Sequence, residues 1–338
     1  MGWFFAAIGA FFLLAVTTVT DKFMLEKTPI VPLSFSFAIS FAGALICTAL
    51  YIPLLLVEKK FFIPTGFPLI AISVNGISQF FGLLCMFETV SRTEVSKANP
   101  VIVAFQPVFC FILTIILPLF FPFLNEQVPL LKILPVLKLV GSGIVVTGGY
   151  FLSTAGEKQE RFDLITWFFA LCAGLLFGLS SVFANISYSV FERRWVPTGA
   201  SIALKDAVFL KAFVWGRWIT FITAILFVLF TGNFKLFKPE KKVNKTTHVK
   251  KGLTLFVFIF GQVCGGIAIV LQQYALKLGN AVLVTALNGI QFFFVIIIIF
   301  VLTKFFPSVL QENVSKKTIF QKVLWSAVLC AGVALMVV

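Results

Sequence analysis

The feature that most constrains this chain is the segment FFFVIIIIFVL, residues 292–302, in which eleven successive side chains are apolar. A helix or strand built from it has no polar face, so it must be buried all round, in a core or in lipid. Such runs recur. A helix needs about 20 mostly apolar residues to cross a bilayer, and ten stretches read that way: 3–20, 31–56, 68–90, 98–123, 135–153, 164–190, 208–232, 253–277, 281–305 and 321–338. Transmembrane strands would instead alternate in polarity over about ten residues. A helix also satisfies its own backbone, as hydrocarbon requires. The chain is 60% hydrophobic and 12% charged, against about 45–50% and about 25% in soluble domains. The expectation is an all-α integral membrane protein with ten transmembrane helices.

The remaining composition mostly excludes. All six cysteines fall inside apolar runs and none forms a CxxC, so they read as small buried hydrophobes. The formal charge of +14 gathers between the runs, notably in KLFKPEKKVNKTTHVKK, residues 235–251. Anionic lipid headgroups are the expected partner there, rather than nucleic acid. The N-terminal MGWFFAAIGAFF has no basic residue ahead of its apolar core and no clear cleavage site, so it reads as a helix and not a signal peptide. No HExxH metal motif, paired intramembrane aspartates or GxxxxGK[ST] phosphate loop is present, and the one histidine, His248, lies in the Lys-rich loop. These absences argue against a metal site, an enzyme and an ATP-driven pump.

The chain also repeats itself. WFFAAIGAFFLLAVTTVTDK (3–22) returns as WFFALCAGLLFGLSSVFANI (167–186), which pairs Asp21 with Asn185 at a spacing of 164. Gln106 pairs with Gln291 at 185, and VGSGIVVTGG (140–149) pairs with LWSAVLCAGV (324–333) at 184. Two units follow: 1–155, and 156–338 with its Lys-rich loop at about 233–252. Each holds five spans, and an odd number forces the units into opposite orientations. Inverted repeats of this kind are frequent in secondary transporters. Lys and Arg favour the loops after odd-numbered spans, which places both termini outside by charge bias.

With FQPVF (105–109) in mid-span, LNEQ (124–127) beyond it and VGSGIVVTGG (140–149) in the fifth span, the chain resembles the EamA type of the drug/metabolite transporter superfamily. The resemblance covers essentially the whole chain, although Phe292 stands where the second unit would repeat the proline. It implies two five-helix repeats, both termini inside, no cofactor, and movement of a small metabolite or drug-like solute by alternating access, in a monomer or homodimer. A lipid or lipid-linked carrier flippase of the same superfamily is the alternative. A plasma membrane, such as a bacterial inner membrane, is the expected location.

Transporters hold substrate near the bilayer midplane between their repeats, so polar residues halfway along apolar spans are the candidate ligands. They are Asn75 and Gln79 in the third span, Gln106 in the fourth, Arg217 in the seventh, Gln262 in the eighth, and Asn288 and Gln291 in the ninth. The competing reading for each amide is interhelical glue, and for Arg217 snorkelling or a structural ion pair. Asp21, Glu88 and Asn185 lie nearer span ends and are candidates for gating, coupling or the membrane surface. The small residues Gly141, Gly143, Gly148, Gly149, Ser326, Ala327, Ala331 and Gly332 suggest close packing of the fifth and tenth spans or a homodimer contact. Pro107 should free the carbonyl of Val103, and with Phe292 as its counterpart any kink should belong to one half.

Overall fold

The structure, a computed structural model, describes residues 2–27, 31–58, 62–93, 95–121, 140–141, 143–145, 147–148, 151–152, 163–232, 251–305 and 316–337. All regular structure among them is helical. The helices are α1 (Gly2–Lys27), α2 (Pro32–Glu58), α3 (Phe67–Arg92), α4 (Val95–Phe120), α5 (Leu164–Trp195), α6 (Ile202–Thr231), α7 (Lys251–Leu278), α8 (Ala281–Leu287), α9 (Ile290–Phe305) and α10 (Lys316–Val337). Further helical residues occur between 140 and 152. Among the described residues, eight apolar stretches are long enough to cross a membrane, and α8 with α9 supplies one of them, Ala281–Lys304. The protein is therefore an integral multi-pass membrane protein. LNEQ, His248, Ser142, Gly149 and residues 233–250 lie outside the described residues.

Local chemistry sets the helix ends. The carboxylate of Asp163 accepts from the Thr166 amide at 2.9 Å and caps α5. Hydrogen bonding to Thr166 also holds that carboxyl below its ordinary range. Ser201 caps α6, and Asn280 caps α8 at 2.8 Å. Gly232 ends α6 in the left-handed conformation, at φ 65°, which suits a residue without Cβ.

Helix pairing positions the interior. α3 packs along α5, and α1 along α7. Both pairs are antiparallel. Arg92 at the end of α3 lies over the Phe169 ring near the start of α5, while Arg194 near the end of α5 donates to the Thr65 carbonyl before α3. Likewise Trp3 adjoins Gly279 at one end of α1, and Thr20 adjoins Gly261 at the other. α4 also lies on α5, α9 on α1, α2 on α6 and α4 on α8.

Glycines permit the closest approaches. A Cβ on Gly178 would lie 3.0 Å from the Gln106 carbonyl oxygen and 3.1 Å from the Cys110 nitrogen, so α5 and α4 touch through backbone there. Gly141, Gly148 and Gly332 bring the fifth and tenth spans together inside the chain, whereas Gly143, Ala327 and Ala331 are exposed. A Cβ on Gly332 would lie 2.9 Å from the Gly141 carbonyl oxygen, and Phe151 stacks on Trp325 at 4.3 Å.

The ninth span is not continuous: it breaks at Asn288–Gly289 between α8 and α9. Through the break the amides of Gly289, Gln291 and Phe292 bond three residues back, to Ala286, Asn288 and Gly289. Asn and Gly are weak helix formers, and their turn substitutes tighter bonds for the α-helical ladder. Asn288 lies 185 residues after Val103, whose carbonyl Pro107, lacking an N–H, cannot serve as helical donor. α4 runs as one helix from Val95 to Phe120 past Pro107, and the interruption falls in the ninth span instead.

Candidate functional site

Helices α1 to α5 and α7, together with the α8–α9 turn, enclose a cavity of about 150 Å³, measured as space open to the centre of a water molecule. Its polar walls are Thr17, Thr18 and Asp21 from α1, Gln79 from α3, Asn99 and Gln106 from α4, and Ser181 from α5. Gln262, Gln272 and Gln273 come from α7, Asn288 from the break and Gln291 from the first turn of α9. Along α7 it spans Gln262 to Gln273, about 16 Å at 1.5 Å per residue. Leu83, Met86, Phe87 and Phe177 supply apolar wall.

Hydrogen bonds between helices fix the amides. Asn288 Nδ2 donates to Gln106 Oε1 at 3.0 Å, and Gln106 Nε2 donates to Ser181 Oγ at 3.2 Å. That chain ties the α8–α9 turn to α4 and α5. Gln291 Nε2 donates to Thr18 Oγ1 of α1 at 3.1 Å. Ser180 Oγ lies 2.7 Å from Asn75 Oδ1 and 2.9 Å from Gln79 Oε1. Gln106, Asn288 and Gln291 are therefore both interhelical ties and cavity wall.

Five of the seven expected ligands line this one cavity: Gln79, Gln106, Gln262, Asn288 and Gln291. Asn75 is buried one turn behind Gln79 in the Ser180 cluster. Arg217 is buried but does not line the cavity. Its guanidinium lies 5.5 Å over the Phe213 ring, and its Cδ would meet a Cβ on Gly43, a lining residue. Asp21 is buried in the cavity wall rather than at the surface.

Asn185 holds the end of α7. Its Nδ2 donates to the carbonyls of Leu276 at 2.6 Å and Gly279 at 3.0 Å. Glu88 forms an i,i+4 ion pair with Arg92 at 3.4 Å on the exterior. Beyond the cavity at the Trp3 end, Tyr188 donates to Gln273 Oε1 at 2.8 Å and packs on Phe209. Lys277 pairs with Asp206 there and lies over Phe209 and Tyr274. Aromatic rings and an ion pair thus gather beside Gln273 at that end.

The sequence reading missed Thr17, Thr18, Asn99, Ser181, Gln272 and Gln273. It also missed Lys22, whose Nζ donates to the carbonyls of Val90 at 2.8 Å and Thr93 at 2.7 Å, at the end of α3.

No family model and no curated protein matches the chain. A solved structure described only as "Crystal structure of protein" superposes with a TM-score of 0.58 at 15% identity, over 98% of this chain and 95% of that one. The likeness is one of fold alone.

Proposed function

We propose that the chain is a secondary membrane transporter, with the amide-lined cavity as its solute site. The observation that carries this reading is the interrupted ninth span. Non-helical backbone at membrane depth is tolerated only where it is buried in protein or lines a cavity, and broken helices build the midplane sites of secondary transporters. Here the interruption supplies Asn288 and adjoins Gln291 and Gln106.

The reading includes ten transmembrane helices in two inverted five-helix repeats, 1–155 and 156–338, of the EamA-like type. Four pairings support the repeat. α1 on α7 corresponds to α5 on α3, and α9 on α1 corresponds to α4 on α5, when the halves are exchanged. Lys22 and Asn185, one position apart in the repeat register, bond carbonyls at 90 and 93 and at 276 and 279, both sets offset by 186. Equivalent elements therefore receive equivalent ties.

In this mechanism the two repeats rock about the cavity and expose it alternately to the two sides. The Tyr188–Gln273 and Asp206–Lys277 contacts would part when the Trp3 end opens. The driving force is a solute or proton gradient, with no cofactor and no chemistry on the solute. The proposed setting is the plasma membrane, with anionic headgroups around the basic loops and the chain acting as monomer or homodimer.

Uptake by sealed proteoliposomes tests the function. A panel of amino acids, nucleosides and cationic drugs should include at least one solute whose flux exceeds that of empty vesicles and collapses with the gradients. No flux across the panel, or flux that needs ATP, would contradict the proposal.

A further inference from the structure

Asp21 is the one ionisable side chain among the described residues that line the cavity. It is 7% exposed, and it makes no hydrogen bond or ion pair among the described residues. The next residue, Lys22, does not neutralise it, because the Lys22 ammonium is tied to the carbonyls that end α3. A buried carboxylate without a partner is strongly unfavourable, and a cation entering the cavity would relieve it.

The other walls narrow the kind of cation. Gln262 and Gln272 line the cavity with no side-chain partner among the described residues. Asn99 and Asn288 also line it, and each keeps one buried amide atom, Nδ2 and Oδ1 respectively, without a hydrogen bond. These groups both donate and accept. Met86, Phe87 and Phe177 add soft and aromatic surface, which favours organic cations. A bare calcium ion gathers six to eight oxygens, usually with several carboxylates, and here it would find one. An anion would find no cationic side chain among the described residues that line the cavity.

We infer that the cavity takes a small organic cation: a protonated amine that carries further hydrogen-bonding groups, with Asp21 as its counter-ion. This rests on reading the cavity as the solute site. The amine meets the Asp21 carboxylate, and its remaining donors and acceptors meet the free amides.

The test uses the full chain in detergent and isosteric pairs of probes: ethanolamine against ethylene glycol, and benzylamine against benzyl alcohol. Each is titrated by binding calorimetry and by thermal stabilisation. The amine of at least one pair should bind and its alcohol should not. Asp21→Asn should weaken amine binding by roughly thirtyfold or more, as for loss of one member of a buried charge pair. Asp21→Glu should restore part of it. Alcohols that bind as well as amines, amines that fail to bind, or full amine binding by Asp21→Asn would each overturn the inference. Should Asp21→Asn not fold, the amine–alcohol comparison on the unaltered chain decides alone. Amine binding without vesicle flux retains the cation assignment and removes the transport reading. Flux of a neutral solute with no amine binding does the reverse.

Discussion

Gln106 clasps three elements, and its removal has a calculable consequence. The side chain is 5% exposed, accepts from Asn288 of the α8–α9 turn and donates to Ser181 of α5. Gln106→Leu keeps much of the volume and deletes both bonds. Interhelical hydrogen bonds in membrane proteins average about 0.6 kcal/mol and reach about 1.7 kcal/mol. Two of them contribute about 1 to 3 kcal/mol. Asn288 is then left worse off than either bond implies. Its Oδ1 already lacks a partner, so the whole amide becomes orphaned, which pushes the loss toward the upper end. Gln106→Leu should therefore destabilise by about 2 to 3 kcal/mol with near-normal expression, and should lose flux, because the α8–α9 turn loses its tie beside the cavity. A double-mutant cycle with Asn288→Leu, read by reversible unfolding in mixed micelles, should return a coupling of about 0.6 kcal/mol or more. Zero coupling, or normal flux through Gln106→Leu, would refute the clasp.

Three further outcomes follow from the same geometry. Lys22→Met and Asn185→Leu each strip two carbonyls at the ends of α3 and α7 of a donor, and each should cost about 1–3 kcal/mol. Hydrogen exchange should speed up at residues 90–93 in the first variant and 276–279 in the second; unchanged protection would contradict the tie. Glu88→Gln removes a partly exposed i,i+4 pair and should change stability by no more than about 0.5 kcal/mol and leave flux intact; loss of flux would give Glu88 a coupling role. Gly178→Ala places a methyl against the α4 backbone at 3.0–3.1 Å and should destabilise by about 1–3 kcal/mol through overpacking; an unchanged unfolding transition would show that α4 and α5 lie farther apart.

Hydropathy alone reached the helical membrane class, because a run such as 292–302 has no polar face to offer any other environment. Mid-span polarity also reached Gln79, Gln106, Gln262, Asn288 and Gln291, since an amide in hydrocarbon must find either protein or a cavity. It failed where polarity is masked. Thr17 and Thr18 bond the carbonyls of their own helix at Leu13 and Leu14, so in sequence they resemble ordinary membrane-helix threonines although both line the cavity. Gln272 and Gln273 sit near the end of their span, away from the mid-span positions that polarity singles out. Lys22 looks like a loop residue, yet its length lets it reach the carbonyls of Val90 and Thr93. The break at Asn288–Gly289 is invisible to hydropathy because apolar residues flank it. Arg217 shows the opposite failure: its depth was legible, but it packs over Phe213 outside the cavity lining, and only packing reveals that.

The central claim, that one cavity is exposed alternately to two sides, is tested most directly by counterflow. Proteoliposomes are loaded with an unlabelled solute identified in the flux panel, diluted into a trace of the same solute in labelled form, and held without any ion gradient or ATP. A carrier that cycles between two exposures must accumulate label transiently above its external concentration. If label only equilibrates, as through a pore, or does not enter, the alternating-access account is wrong.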